Sequence, residues 1–245
     1  MATKKVIPIK PLTSWSFSRY SDYKNCPLKC KLKHIDKISE PKNAAMERGA
    51  QIHNLAEDYL KGKVAKLAPE LKLFSKEFAQ LRDLYKRRRL PMVVEDTWAF
   101  TADWTQTRWD DWVGCWVRIK LDCAHQVEDD VMVVTDWKTG KFRAELHEEY
   151  VEQLELYALA SLLLHPHLRA VMPYLAYTDE GKVYPDGEPI VFDRGDVADL
   201  KALWGRRVKP MMQDKIFAPR PNDKCRWCWY GQSKKSDGGP GLCKY

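Results

Sequence analysis

The sequence predicts an α/β fold in which a mixed sheet core is flanked by helices. Three runs rich in β-branched and aromatic residues, 92–101, 114–123 and 131–138, read as successive strands. Helical spacing of apolar residues frames them, at Ile52, Leu55, Ala56, Tyr59 and Leu60 before and over 148–164 after. A further strand, 174–178, follows that second helix, which completes a mixed α/β order.

Each element has a local cause. Residues 1–13 read as a mobile arm, because Pro8 and Pro11 break helix and few apolar residues anchor the segment. A short helix is expected over 16–23, ending before Asn25, Cys26 and Pro27, since the residue before a proline is pushed away from helical angles. The helix 44–60 carries His53 beside its apolar stripe. Another is expected over 69–88 through Leu71, Phe74, Phe78, Leu81 and Tyr85, and Pro91 then opens extended chain. Beyond the strand 174–178 a hairpin partner is expected around 189–192, then a helix over 196–212. Pro219 and Pro221 open an irregular tail, in which the stretch around Gly238, Gly239 and Gly241 reads as flexible. The result is one domain, 14–245: a helical N-terminal region 14–90, a core 91–192, and a C-terminal helix with a Cys-rich tail 193–245.

Composition narrows the function classes. Hydrophobic residues make up 44% and charged residues 31%, with ten Trp and eleven Tyr, which excludes a disordered chain. No apolar run approaches the roughly twenty residues that cross a bilayer. The first ten residues lack the apolar core of a signal segment, so a cytoplasmic location and no membrane partner are expected. Seven cysteines, an odd number, suit metal ligands or buried thiols better than disulfides in a reducing compartment. A formal charge of +7 fits an acidic partner, because Lys and Arg displace counterions from phosphates, but it does not identify DNA. The densest basic run, Lys86 to Arg89, reads as a solvated helix end.

The candidate chemistry lies in the central strands. Alternation places Asp136 and Lys138 on one face of the strand 131–138, with Gly140 free to turn the chain out of the sheet. In the preceding strand Arg118, Lys120 and Asp122 alternate with Val117, Ile119 and Leu121, so an antiparallel pairing can bring Asp122 to Asp136. Two such carboxylates repel unless a cation lies between them, and hard oxygen ligands suit Mg²⁺ or Mn²⁺. A cation so held activates water and polarises a phosphate, while Lys138 positions the water and stabilises the transition state. Alone, a D-x-K at a strand end is better explained by a surface ion pair. The next helix adds Gln153 and Tyr157, an i, i+4 pair on one helix face.

In this order, "RIKLD", "VVTDWKTG" and "QLELYALA" resemble the motifs of the RecB-like branch of the PD-(D/E)XK nucleases. The resemblance implies a restriction-endonuclease-like core and metal ligation by His53, Asp122, Asp136 and the backbone carbonyl of Trp137. "RGAQIHNLAEDYL" carries the histidine, and Glu95 in "PMVVEDTWAF" matches an acidic position on the first core strand. Lys138 would then be catalytic, with Gln153 and Tyr157 orienting the lysine or the nucleic acid strand. The implied activity is a divalent-metal-dependent deoxyribonuclease, an exonuclease on DNA ends or single strands, as in CRISPR-associated and recombination-associated nucleases of a prokaryotic or phage-infected cell. The alternative is a non-catalytic nucleic-acid-binding or assembly subunit on the same scaffold.

The tail adds Cys225 and Cys228, whose two-residue gap lets both sulfurs reach one metal or cluster iron. The opening "SWSFSRYSDYKNCPLKC" resembles relatives that carry a four-iron cluster on one early and three late cysteines. That resemblance implies Cys26, Cys225, Cys228 and Cys243 as ligands of a [4Fe–4S] cluster, joining both ends of the chain in a helical cap, with Cys30 as a competing ligand. Zn²⁺ stays open, because four thiolates serve either. Cys115 and Cys123 lie in strands and read as buried thiols.

Overall fold

The computed structural model describes residues 12–245. The arm expected over 1–13 lies, for residues 1–11, outside the described residues, and Leu12 is buried. Two compact units divide the chain. One is Lys42–Trp204; the other comprises the described residues up to Pro41 together with Gly205–Tyr245.

The Lys42–Trp204 unit holds the sheet. Its strands are β1 (Met92–Phe100), β2 (Gln106–Thr107), β3 (Val117–Glu128), β4 (Val131–Lys138), β5 (Ala170–Tyr177), β6 (Lys182–Tyr184) and β7 (Phe192–Asp193). They form one seven-stranded sheet among the described residues, ordered β2-β1-β3-β4-β5-β6, with β7 also paired to β5. β4 and β5 are parallel and every other pairing is antiparallel, so the expected mixed sheet is present. The parallel step needs a crossover, and the helix His147–Leu164 supplies it.

Three boundaries differ from expectation. The second long strand begins at Val117 and not at Gly114, because Asp111 Oδ1 accepts the N–H groups of Val113 (3.2 Å) and Gly114 (2.7 Å) and holds them in a turn. At its other end it runs on to Glu128. The strand expected at 174–178 starts at Ala170, ahead of Pro173, and its hairpin partner is Lys182–Tyr184, with Phe192–Asp193 on its opposite half. The tight turn between β5 and β6 explains this: the Gly181 N–H reaches Tyr177 O at 2.9 Å, with Gly181 at φ +64.

Helices flank the sheet as expected. α1 (Phe17–Asn25) starts at Ser16, whose hydroxyl accepts the Arg19 N–H, and α2 (Pro27–His34) follows at once. The sequence reading missed α2, since its polar-rich run lacks an apolar stripe, yet a proline at the first helical position favours helix initiation. α3 (Ala44–Leu60) is capped by Asn43, whose side chain accepts the Met46 N–H at 2.9 Å. The helix expected over 69–88 opens as a 3₁₀ stretch, Pro69–Phe74, and becomes α4 (Ser75–Arg87). The helix His147–Leu164 is α5 and Val197–Gln213 is α6. None is long and apolar enough to cross a membrane.

One apolar cluster joins α3, α4 and the sheet through Ile52, Leu60, Phe78, Val94, Cys123 and Trp137, with the Phe78 and Trp137 rings stacked 4.5 Å apart. Another surrounds Tyr150, Leu154, Leu175, Tyr177 and Tyr184. The tail around Gly239 is closely packed and does not match the flexible reading: a Cβ there would lie 2.6 Å from Trp229 O and 2.7 Å from Lys234 O.

Candidate functional site

Strand register assembles the acidic residues. Between β1 and β3, Val94 faces Cys123 and Asp96 faces Leu121, so Glu95 and Asp122 stand abreast. Between β3 and β4, Cys123 faces Thr135, and one further antiparallel step sets Asp122 abreast of Asp136. Carboxylates from three adjacent strands therefore fall in one row across the sheet. Glu95 departs from the strand conformation at φ +50, a left-handed value that costs a non-glycine residue on the order of 1–3 kcal/mol.

His53, on α3, completes this cluster. Its Nδ1 lies 3.1 Å from Asp122 Oδ1 and 3.3 Å from Glu95 Oε1. One ligand atom from each of His53, Glu95 and Asp122 lies within 4.8 Å of the others. The bonds to Asp122 and Glu95 outweigh burial and push the imidazole pKa up to about 10. Burial and the Asp136 charge push the Asp122 carboxyl up to about 6, against the pull of His53. Such a gathering of carboxylates, with Asp122 and Asp136 buried and Glu95 partly so, attracts cations.

Asp136 is buried and held from both sides. Its Oδ1 accepts the Tyr157 hydroxyl and, at 3.3 Å, the Gln153 side-chain N–H, while Gln153 also donates to Tyr157 Oη at 2.8 Å. Lys138 Nζ lies 2.6 Å from Asp136 Oδ2, within ion-pair range. That ion pair with Lys138 is the contact the structure gives Oδ2, whereas Oδ1 takes both bonds from the helix. The imidazole nitrogen and carboxylate oxygens of His53, Glu95 and Asp122, with the buried Asp136 abreast of Asp122, are a donor set whose chemistry fits a hard divalent cation such as Mg²⁺ or Mn²⁺.

Of the residues singled out by sequence, His53, Glu95 and Asp122 converge, and Asp136 gathers Lys138, Gln153 and Tyr157. Trp137 donates its N–H to Asp122 Oδ2 at 2.7 Å, and its indole lies in the core. The sequence reading missed Asp179 and Arg48. Asp179 accepts the Gly140 N–H at 2.8 Å and pairs with Arg48, but "YTDEGK" signals only a turn.

The cysteine expectation fares differently. All seven cysteines are free thiols, and the metal-ligand group within 4.8 Å among the described residues contains none of them. Cys26, Cys225, Cys228 and Cys243 are thus not paired, nor drawn within the distance at which thiolates share a single ion. They do belong to one unit. Cys26 Sγ accepts the Arg220 N–H at 3.4 Å and Cys225 Sγ the Asn222 N–H at 3.3 Å. Burial raises the Cys228 pKa, and the charges of Cys26 and Cys243 add to it. Cys30 is fully buried, its Sγ 3.7 Å from Arg19 O, and burial pushes its thiol up to about 12.

Among solved structures, a candidate exonuclease from Eubacterium rectale is similar at 12% identity and TM-score 0.48, over 88% of this chain and 86% of that one. The protein SSO0001 is similar at 14% identity and TM-score 0.38, over 91% of this chain and 85% of that one. No curated protein matches the sequence. The family profile of the PD-(D/E)XK nuclease superfamily matches residues 14–233. With that match spanning nearly the whole chain around the acidic cluster, the protein belongs to the PD-(D/E)XK nuclease superfamily.

Proposed function

We propose that the protein is a divalent-metal-dependent deoxyribonuclease of the RecB-like branch, an exonuclease acting on DNA ends or single strands. The observation that carries the reading is the ion pair of buried Asp136 with Lys138 beside the His53, Glu95 and Asp122 cluster. His53, Glu95, Asp122 and Asp136 would hold Mg²⁺ or Mn²⁺, with the Trp137 carbonyl as a further ligand. A cation there supplies Lewis acidity toward the phosphate and activates water for attack.

The chain's own groups do the rest. Asp122 holds the end of β4 through the Trp137 N–H. Tyr157 and Gln153 hold Asp136 Oδ1, which leaves Oδ2 facing Lys138. The Lys138 ammonium orients water and offsets negative charge growing on the phosphate. Both units act together as one nuclease over 14–245.

The second cofactor in this reading is a [4Fe–4S] cluster, with Zn²⁺ as the alternative, on Cys26, Cys225, Cys228 and Cys243. Support comes from the N–H groups of Arg220 and Asn222 aimed at two of the sulfurs, because such bonds stabilise thiolates and tune clusters. Free cysteines throughout also suit a reducing, cytoplasmic compartment.

The test is digestion of end-labelled linear DNA and of closed circular DNA with Mn²⁺, comparing wild type with Lys138→Ala. Linear substrate should disappear only with the cation, closed circles should survive, and the variant should lose roughly 10²-fold or more in rate. Equal cutting by both proteins overturns the role of Lys138. Binding without cutting would favour a scaffold that only holds nucleic acid.

A further inference from the structure

We infer that Asp179 and Arg48 are positioning residues, which fix the backbone turn that follows Lys138 and tie it to the helix carrying His53. The inference rests on the nuclease reading for its catalytic consequence.

Lys138 is the last residue of β4, and beyond it nothing in the sheet ladder constrains the chain. The strand β5 supplies the constraint instead. The parallel ladder ends at Lys138 opposite Tyr177, and the Lys138 carbonyl then accepts both the Thr178 N–H at 2.9 Å and its hydroxyl at 3.1 Å. Asp179 Oδ2 accepts the Gly140 N–H at 2.8 Å, and Glu180 Oε2 accepts the Phe142 N–H at 3.2 Å. Three consecutive residues of the β5–β6 turn thus hold residues 138, 140 and 142. The turn itself is firm, because the N–H groups of Glu180 and Gly181 both bond to Tyr177 O.

Asp179 also reaches α3. Its other oxygen pairs with the Arg48 guanidinium, five residues before His53 on α3. The same turn of α3 lies close to the loop, since a Cβ at Gly49 would stand 3.7 Å from Thr139 Oγ1. One carboxylate therefore bridges the exit of the catalytic strand and the helix that delivers the histidine. Gly140 at φ +84 adopts a conformation with little intrinsic stiffness, so its orientation depends on that bond. Small displacements of a catalytic group are costly: about 1 Å can lower a rate roughly 10²-fold.

The test compares Asp179→Ala, Asp179→Asn and Arg48→Ala in steady-state DNA cutting with Mn²⁺, alongside amide hydrogen exchange over 139–146. Asp179→Ala should lower kcat about ten- to a hundred-fold with KM within about three-fold. Asp179→Asn keeps an oxygen for the Gly140 N–H and should recover most of kcat. Arg48→Ala, which removes a half-exposed side chain and is expected to fold, should fall between them. Exchange over 139–146 should quicken in Asp179→Ala and stay near wild type in Asp179→Asn. Wild-type kcat in Asp179→Ala, a loss confined to KM, or an Asn variant as impaired as the Ala variant overturns the inference. A wild type that never cuts would count against the nuclease reading alone; the exchange data then decide, and unchanged exchange in Asp179→Ala sinks the positioning role.

Discussion

Glu95 combines an unfavourable backbone with a place in the acidic cluster, so its substitutions should separate stability from activity. Glycine relieves the left-handed conformation, whereas alanine keeps it. Glu95→Gly should be more stable than Glu95→Ala by about 1 kcal/mol, and both should lose metal-dependent cutting to a similar extent. Denaturant melts and the end-label assay check this; equal stability of the two would mean that the backbone is not strained. Asp122, Asp136 and Lys138 were legible because strand alternation and an antiparallel pairing suffice to bring them together. The φ of Glu95 was not, since it reflects local packing that no pattern of residue types encodes. Nor was Asp179, whose role depends on a parallel register set across the whole crossover by α5.

The α1–α2 pair shows what element-level reading can and cannot reach. Asp22 on α1 lies 3.4 Å from Lys29, 3.0 Å from Lys33 and 2.9 Å from His34, all on α2. Burial pushes its carboxyl up, but the His34 bond and the two ammonium charges together prevail and hold it at about 2. A carboxyl depressed in the folded state stabilises fully above its unfolded pKa, and that contribution is lost as pH falls through the folded value. The Asp22 contribution, about 2 kcal/mol, should thus be present above about pH 4 and vanish toward about pH 2. Acid unfolding of wild type against Asp22→Asn checks it: the difference should shrink across that window, and a constant difference would assign the stability elsewhere. None of this was visible beforehand, because α2 went unread for want of an apolar stripe. By contrast α3, β4 and α5 were readable almost to the residue, from the apolar stripe of α3, the β-branched run of β4 and the long apolar run of α5.

At the scale of the molecule, Lys42–Trp204 contains the sheet and the acidic cluster, while the four tail-and-opening cysteines lie in the other unit. Cys225→Ala should therefore cost folding of the cysteine-bearing unit more than it alters metal-dependent cutting per folded molecule. Anaerobic purification should give wild type a visible absorption that the variant lacks, together with a lower melting temperature for the variant. A stable, fully folded Cys225→Ala protein without metal would remove the cluster from the fold's support. The division has a temporal side as well. Residues 42–204 are continuous, so their seven strands can close as soon as they leave the ribosome. The other unit must wait, because the segment before Pro41 finds its complement only after Gly205 has been synthesised. Cys26 is thus translated some two hundred residues before its proposed partners, and any inorganic centre they share would be the last part of the protein to mature.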